Sequence, residues 1–418
     1  MLKLRDYQTK KVEEGYSRLL QLNMVYLSME VRTGKTLTAL SLANKFTNKK
    51  GVLFVTKKKA INSIENDFKL LNPDYELTVI NYESLHKMEK DFDIVIIDEA
   101  HSIGTYPKPS KRYKDLKTIV DRYAYSKLIY LSGTPSPESE SQLFWQFRLS
   151  DRFSPFNKYA NFYKWAKEFV DVQKKNLGYA TVNDYSQAYR DKIMDVLKPY
   201  FISYTQAQAG FNQIVNETVL EVKMKPKTYD LVKRLKRDLV IEGKTETILA
   251  DTSVKLQQKI HQLCSGTVKF ESGNSMITDN SKAVYIKDKF KGQKIAIFYI
   301  FKEEFNLLKE TFTNWTASPE EFNENENLVF LGQIRSSREG VNLSSADSLI
   351  YYNIEFSALS YIQGKDRMTS KTRTKENKVF FIFSKGGIEK HIFSKVSNKL
   401  DYTNAYFKQT KTLISNKH

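Results

Sequence analysis

Short apolar runs rich in β-branched residues punctuate the first third of the chain, at residues 24–27, 52–55, 77–80, 94–97 and 128–131. Amphipathic or polar stretches of helix length separate them. Strands alternating with helices predict a parallel sheet covered on both faces. The same rhythm returns at residues 294–300, 328–331, 349–352 and 379–383, which predicts a second α/β lobe. The reading divides the chain at residue 218, into lobes 1–218 and 219–418. Residues 140–215 carry Phe153, Phe156, Tyr159, Phe162, Tyr163, Trp165 and Phe169 at spacings compatible with helices. They are expected to form a helical extension on the first lobe, with the aromatic rings as its core. Between 228 and 240, Leu231, Leu235 and Leu239 fall on one helical face and Lys233, Arg234, Lys236 and Arg237 on the other. A solvated face is the first reading of that basic stripe, and contact with a phosphate backbone the second.

At 418 residues the chain exceeds the size at which a single core stops growing, in agreement with two domains. The net charge of +18 favours a polyanionic partner, nucleic acid above all. A single cysteine, Cys264, excludes an internal disulfide framework or a cysteine-rich zinc module. The start, Met1-Leu2-Lys3-Leu4-Arg5-Asp6, has no apolar signal region, and no apolar run is long enough to span a bilayer. A soluble intracellular protein without membrane contact is expected.

Chemistry enters at the strand ends. The run Ile94-Val95-Ile96-Ile97 leads directly into Asp98-Glu99-Ala100-His101. Paired carboxylates at the end of a buried strand suit two tasks, holding a metal ion and activating a water. About 60 residues upstream, Thr33-Gly34-Lys35-Thr36 follows an apolar stretch and precedes a helix-like segment from Leu37 to Phe46. A strand, then glycine, lysine and a hydroxyl residue, then a helix, is a phosphate-binding arrangement. Lys35 is placed to reach terminal phosphates, and Thr36 with Asp98 to hold Mg2+. Glu99 is the candidate base. The first glycine of the usual loop spacing is missing, since position 29 is Met and position 32 is Arg.

Taken together these segments resemble helicase superfamily two, and within it the Swi/Snf-type DNA translocases, especially compact phage or bacterial versions. Arg5-Asp6-Tyr7-Gln8 resembles the element whose glutamine recognises adenine. Ser28 to Thr36 resembles the phosphate loop, including Arg32, Thr33 and Gly34. Thr56 and Lys57, then Asn81 and Tyr82, resemble segments that track one DNA strand. Leu131-Ser132-Gly133-Thr134-Pro135 resembles the segment that couples hydrolysis to lobe movement, and His101 belongs with Ser132 and Thr134 in that role. Ser336-Ser337-Arg338-Glu339-Gly340-Val341-Asn342-Leu343 is similar to the fifth motif, with Ser337 on nucleic acid and Gly340 and Asn342 at the nucleotide. Gln363-Gly364-Lys365-Asp366-Arg367 is similar to the sixth, which supplies an arginine finger. The family often has a second arginine three residues later, where this chain has Ser370, with Lys371 and Arg373 nearby.

The resemblance implies two tandem RecA-like lobes with parallel sheets. It implies ATP and Mg2+ as cofactors, and Lys35, Asp98, Glu99, Gln363 and Arg367 as catalytic residues. It implies a monomer, in bacterial or phage-infected cytoplasm, that moves along or remodels duplex or branched DNA in preference to RNA. An RNA helicase is the rival within the enzymes. A nucleic-acid-binding module with a switch-like or inactive nucleotide site is the rival outside them.

Overall fold

The computed structural model describes residues 3–46, 51–123, 125–176, 181–211, 214–337, 341–369, 373 and 375–397. The chain divides into two compact units, Met1–Gly210 and Phe211–His418. The division precedes the strand Val215–Val222, whose eight residues pair in the second unit's sheet.

The first unit contains β1 (Met24–Met29), β2 (Val52–Thr56), β3 (Leu77–Asn81), β4 (Ile94–Asp98), β5 (Lys127–Leu131), β6 (Gln173–Asn176), β7 (Thr181–Asp184) and β8 (Phe201–Tyr204). Its main sheet has the order β3-β2-β4-β5-β1-β8, and every ladder in it is parallel. The inner strands are apolar without alternation because both faces are covered. All residues of β1 and β2 are buried. One face packs Val25, Leu27, Phe54, Ile96 and Ile129 against Leu19, Leu40 and Ile64 of flanking helices.

The expected helical extension is only partly helical. Helices Leu143–Phe147, Phe162–Phe169 and Arg190–Leu197 are present, but β6 and β7 form an antiparallel hairpin and β8 joins the main sheet. The aromatic residues do pack as a core: Phe144, Phe156, Phe162 and Trp165 are almost wholly buried and meet as tilted and edge-on rings. Tyr163 is the exception, on the exposed side of its helix.

The second unit adds β9 (Val215–Val222), the hairpins β10 (Val240–Glu242) with β11 (Thr247–Leu249) and β12 (Thr267–Lys269) with β13 (Ser275–Ile277), then β14 (Ile295–Tyr299), β15 (Trp315–Thr316), β16 (Val329–Gln333), β17 (Ser348–Tyr351) and β18 (Asn377–Ser384). Its sheet runs β15-β16-β14-β17-β18-β9, again parallel throughout. The helix Pro226–Asp238 ends at Leu239, which takes a left-handed φ of 59° and is exposed; Leu231, Val232 and Leu235 seat the helix on its core. Among the described residues, no helix is long and apolar enough to cross a membrane.

Candidate nucleotide site

β1 ends at Met29, and residues 30–34 carry the chain into the helix Lys35–Ala43. The turn closes on Glu30, whose carbonyl accepts from Thr33 Oγ1 at 2.7 Å and from Thr33 N at 3.3 Å. Arg32 adopts φ 64°, the left-handed conformation that glycine takes freely and arginine only under constraint. The loop thus keeps its turn without the glycine. Gly34 has φ 79°, and a Cβ there would lie 2.3 Å from Gln8 Nε2. Glycine is required at that position twice over.

The expected adenine-side residues brace this loop. Gln8 is buried; its Nε2 donates to the Gly34 carbonyl at 3.2 Å and its Oε1 accepts from Arg5 N at 2.9 Å. Arg5 Nη1 donates to the Tyr7 hydroxyl at 3.1 Å, which donates to the Thr33 carbonyl at 2.9 Å. Lys35 is the first residue of the helix, at the end where unpaired backbone N–H groups attract phosphate. Thr36 follows, half-buried. Lys35 Nζ reaches the turn after β5, where a Cβ on Gly133 would stand 3.7 Å from it.

Asp98 ends β4, and Glu99 leaves the strand with a left-handed φ of 49°. That reversal lets two adjacent carboxylates take separate directions. Thr56 Oγ1 donates to Asp98 Oδ2 at 2.7 Å, and the Tyr82 hydroxyl donates to the Asp98 carbonyl. Burial, then the neighbouring Glu99 charge, pushes the Asp98 carboxyl up to about 6, against the opposing pull of Thr56 and Lys35. A divalent cation would add positive charge beside that of Lys35, and one carboxylate plus a hydroxyl with phosphate oxygens is a donor set suited to Mg2+. Asp98 and Thr36 fit such an ion.

Behind the pair lies a polar relay. His101 Nδ1 is 3.3 Å from Glu99 Oε2 and 3.0 Å from Ser132 Oγ, and Ser132 Oγ accepts from Thr134 N at 3.1 Å. The three expected coupling residues therefore connect Glu99 to the turn after β5.

Three of the five residues expected on nucleic acid, Thr56, Tyr82 and Ser337, are buried. Thr56 is fully buried and Tyr82 nearly so, and the hydroxyls of both hold Asp98 rather than face solvent. Lys57 and Asn81 remain partly exposed at the ends of β2 and β3. Ser337 is buried beside Gly332, on which a Cβ would come within 2.5 Å of Ser337 Oγ.

In the second unit, Gln363 lies on the helix Ala358–Lys365, and Arg367 follows that helix. Arg367 Nε donates to the Gln363 carbonyl at 2.8 Å, and the Arg367 carbonyl accepts from Leu343 N at 3.0 Å. The fifth and sixth segments are thereby tied together. Gln363 Oε1 is buried and finds no hydrogen-bond partner among the described residues. Asn342 is exposed, and its Oδ1 accepts from Ser344 N at 3.2 Å. Gly340 and Ser370 lie outside the described residues.

Arg373, near the position of the second arginine, is held by backbone carbonyls. Its Nη1 donates to the Ser344 and Ala346 carbonyls at 2.6 and 2.7 Å, and its Nη2 to the Glu376 carbonyl at 2.8 Å. The guanidinium clamps the fifth segment to the chain entering β18. Arg373→Ala is accordingly expected to lower stability by about 3 kcal/mol, the scale of several lost charge-assisted bonds at a buried site, while the folded variant keeps its ATP turnover. Chemical denaturation alongside a turnover assay checks this; loss of turnover at unchanged stability would overturn it.

Sequence reasoning passed over several supports. Glu30 Oε2 accepts from Gln206 N at 2.6 Å, and Gln206 Nε2 donates to the Val31 carbonyl at 3.0 Å. Tyr204 stacks on Tyr7 with centroids 4.4 Å apart. Gln146, buried, accepts from the Tyr26 hydroxyl at 2.8 Å and donates to the Pro135 carbonyl at 2.9 Å, anchoring the turn after β5. A glutamine inside the apolar stretch Leu143–Phe147 was a visible signal. Gln206 gave none, standing 176 residues from the glutamate it bonds.

Among curated proteins, the chain is similar to a chromatin-remodeling ATPase INO80 of Mycosarcoma maydis, 24% identical over 226 residues, covering 47% of this chain and 11% of the relative. It is similar to the CHD3-type chromatin-remodeling factor CHR7 of Arabidopsis thaliana, 22% identical over 326 residues, covering 68% of this chain and 25% of the relative. The chain thus spans a quarter or less of the length of these relatives. The SNF2-related domain matches residues 22–277, a segment that begins just before β1 and contains the phosphate loop, the acidic pair and the relay behind it. With more than half of its length inside that match, the chain belongs to the SNF2-related family.

Proposed function

We propose that this protein is an ATP-dependent DNA translocase that moves along or remodels duplex or branched DNA. One observation carries the reading: Lys35, Asp98 and Glu99 stand at the carboxyl ends of one parallel sheet, with the His101–Ser132–Thr134 relay leading away from Glu99. The family match and the relatives, which are named as chromatin-remodeling proteins, support it.

Phosphoryl transfer needs positioning and charge neutralisation more than covalent participation by the protein. In the proposed reaction Lys35 and the first-turn amides hold the β- and γ-phosphates. Thr36 and Asp98 would hold a magnesium ion, which would supply further neutralising charge. Glu99 orients a water and takes its proton as the water oxygen bonds to the γ-phosphorus. The bond from that phosphorus to the β–γ bridging oxygen breaks, and ADP leaves. In the second unit, Arg367 keeps the arginine-finger role that the resemblance implies for it. Gln8 recognises the adenine side, and Lys57 and Asn81 contact the nucleic-acid strand. Loss of the γ-phosphate changes the setting of Glu99, and the relay carries that change to the turn bearing Thr134.

Turnover measured with duplex DNA, branched DNA, single strands and RNA tests the reading. DNA is expected to stimulate hydrolysis more than RNA. Binding is expected to weaken linearly on a log–log plot against salt, since lysine and arginine contacts to phosphate release counterions. Stronger stimulation by RNA would assign the protein to RNA helicases, and absence of hydrolysis under every condition would leave a binding module.

A further inference from the structure

The basic helix Pro226–Asp238 stands apart from the motor motifs, on a small core of its own. Leu235, Ile241, Ile248, Ala250, Leu263 and Val268 form that core, distinct from the clusters on the two faces of the second unit's sheet. Between positions 223 and 239 the chain carries seven lysines and arginines against two aspartates. Lys227, Lys233, Arg234, Lys236 and Arg237 are all exposed. Arg237 pairs with Asp238 at 2.7 Å; the other four make no ion pair among the described residues.

Opposite charges at i+3 and i+4 stabilise a helix, and Asp230 stands so toward Lys233 and Arg234, and Asp238 toward Arg234. The cations outnumber these acids. Lys233 faces Lys236 and Arg237 at the same spacings, and Arg234 faces Arg237. Like charges so placed destabilise a helix. The C-terminal dipole favours Lys236 and Arg237 but reaches little beyond the last turn. Packing of Leu235 and Leu231 holds the helix in spite of the repulsion, so the cations are presented on a rigid mount.

We propose that this helix is an auxiliary binding surface for the phosphate backbone of duplex DNA, separate from the strand-tracking segments of the motor. It rests on the translocase reading above. Thirteen helical residues span about 20 Å, and a duplex presents one negative charge per roughly 1.7 Å of axis. The stripe therefore meets a continuous line of phosphates without reading bases. Its partner relieves the repulsion that the free helix carries.

The test uses the full chain with Lys233→Gln, Arg234→Gln, Lys236→Gln and Arg237→Gln combined, and a control with Lys287→Gln, Lys289→Gln, Lys291→Gln and Lys302→Gln, four exposed lysines of the same unit. Binding of a fluorescent duplex is titrated across salt, and ATP turnover is measured at saturating duplex. The helix variant is expected to bind about 10- to 100-fold more weakly, with a salt slope lower by about 2–4. Its turnover at saturating duplex is expected to match wild type. Unchanged affinity and slope, with wild type binding normally, overturn the auxiliary surface and leave the translocase reading intact. Equal losses in helix variant and control reduce the effect to diffuse charge and also overturn it. Retained DNA binding together with lost capture of an acidic protein segment would reassign the surface to that partner. Failure of wild type to bind any duplex removes the translocase reading itself.

Discussion

Lys35→Ala is expected to bring ATP hydrolysis down to background while leaving nucleic-acid affinity within about twofold of wild type. The lysine opens the helix Lys35–Ala43, and in the proposed reaction its ammonium joins the first-turn amides on the terminal phosphates. Removing it takes away the charge that follows the terminal phosphates into the transition state, where a buried contact is worth most. The cations available to DNA lie elsewhere. The net charge of +18 is distributed over both units, so a single lysine contributes little to it. Measuring turnover and duplex affinity on the same preparation separates the two functions. Joint loss of both in a folded variant would show that nucleotide and nucleic-acid sites are not separate.

Arg367→Ala carries the second large expectation: turnover lower by about a thousandfold, with ATP affinity nearly kept. An arginine that meets the transferring phosphoryl group contributes on that scale, and a contact made chiefly in the transition state lowers kcat without raising the dissociation constant for nucleotide. Arg367 is 5% exposed and its Nε is held by the Gln363 carbonyl, so its planar head is set by the turn that follows the helix Ala358–Lys365. Arg367→Lys is expected to rescue little, because an ammonium does not reproduce the forked donor geometry. Pre-steady-state turnover with equilibrium nucleotide binding checks both variants. A loss confined to ATP affinity would make Arg367 a ground-state contact and move the finger role elsewhere.

Arg373 illustrates what spacing does not reveal about an arginine. It and Arg367 both stand in a short segment after the same helix, and by spacing either serves as a finger. The carbonyls that engage Arg373 come from Ser344, Ala346 and Glu376, and two of these are nearly 30 residues upstream. Nothing local announces such a clamp. Thr56 and Tyr82 make the same point on the first unit. Each follows or ends a strand at a position expected to touch nucleic acid, yet parallel pairing sets β2 beside β4, and Thr56 thereby meets Asp98.

Local covalent order and hydrophobic period were enough for the two-lobed α/β plan, because strands buried on both faces must be continuously apolar and helices between them must be amphipathic. The places of Lys35, Thr36, Asp98 and Glu99, where a helix begins and a strand ends, were legible in the same way. The structure alone decided which side chains brace those groups: Gln8 against Gly34, Gln206 under Glu30, Gln146 behind Pro135, and His101 between Glu99 and Ser132. These are bonds between elements distant in sequence. They exist because buried polar groups must find partners wherever the packed sheet brings them, and strand order, which no local pattern encodes, determines what is within reach.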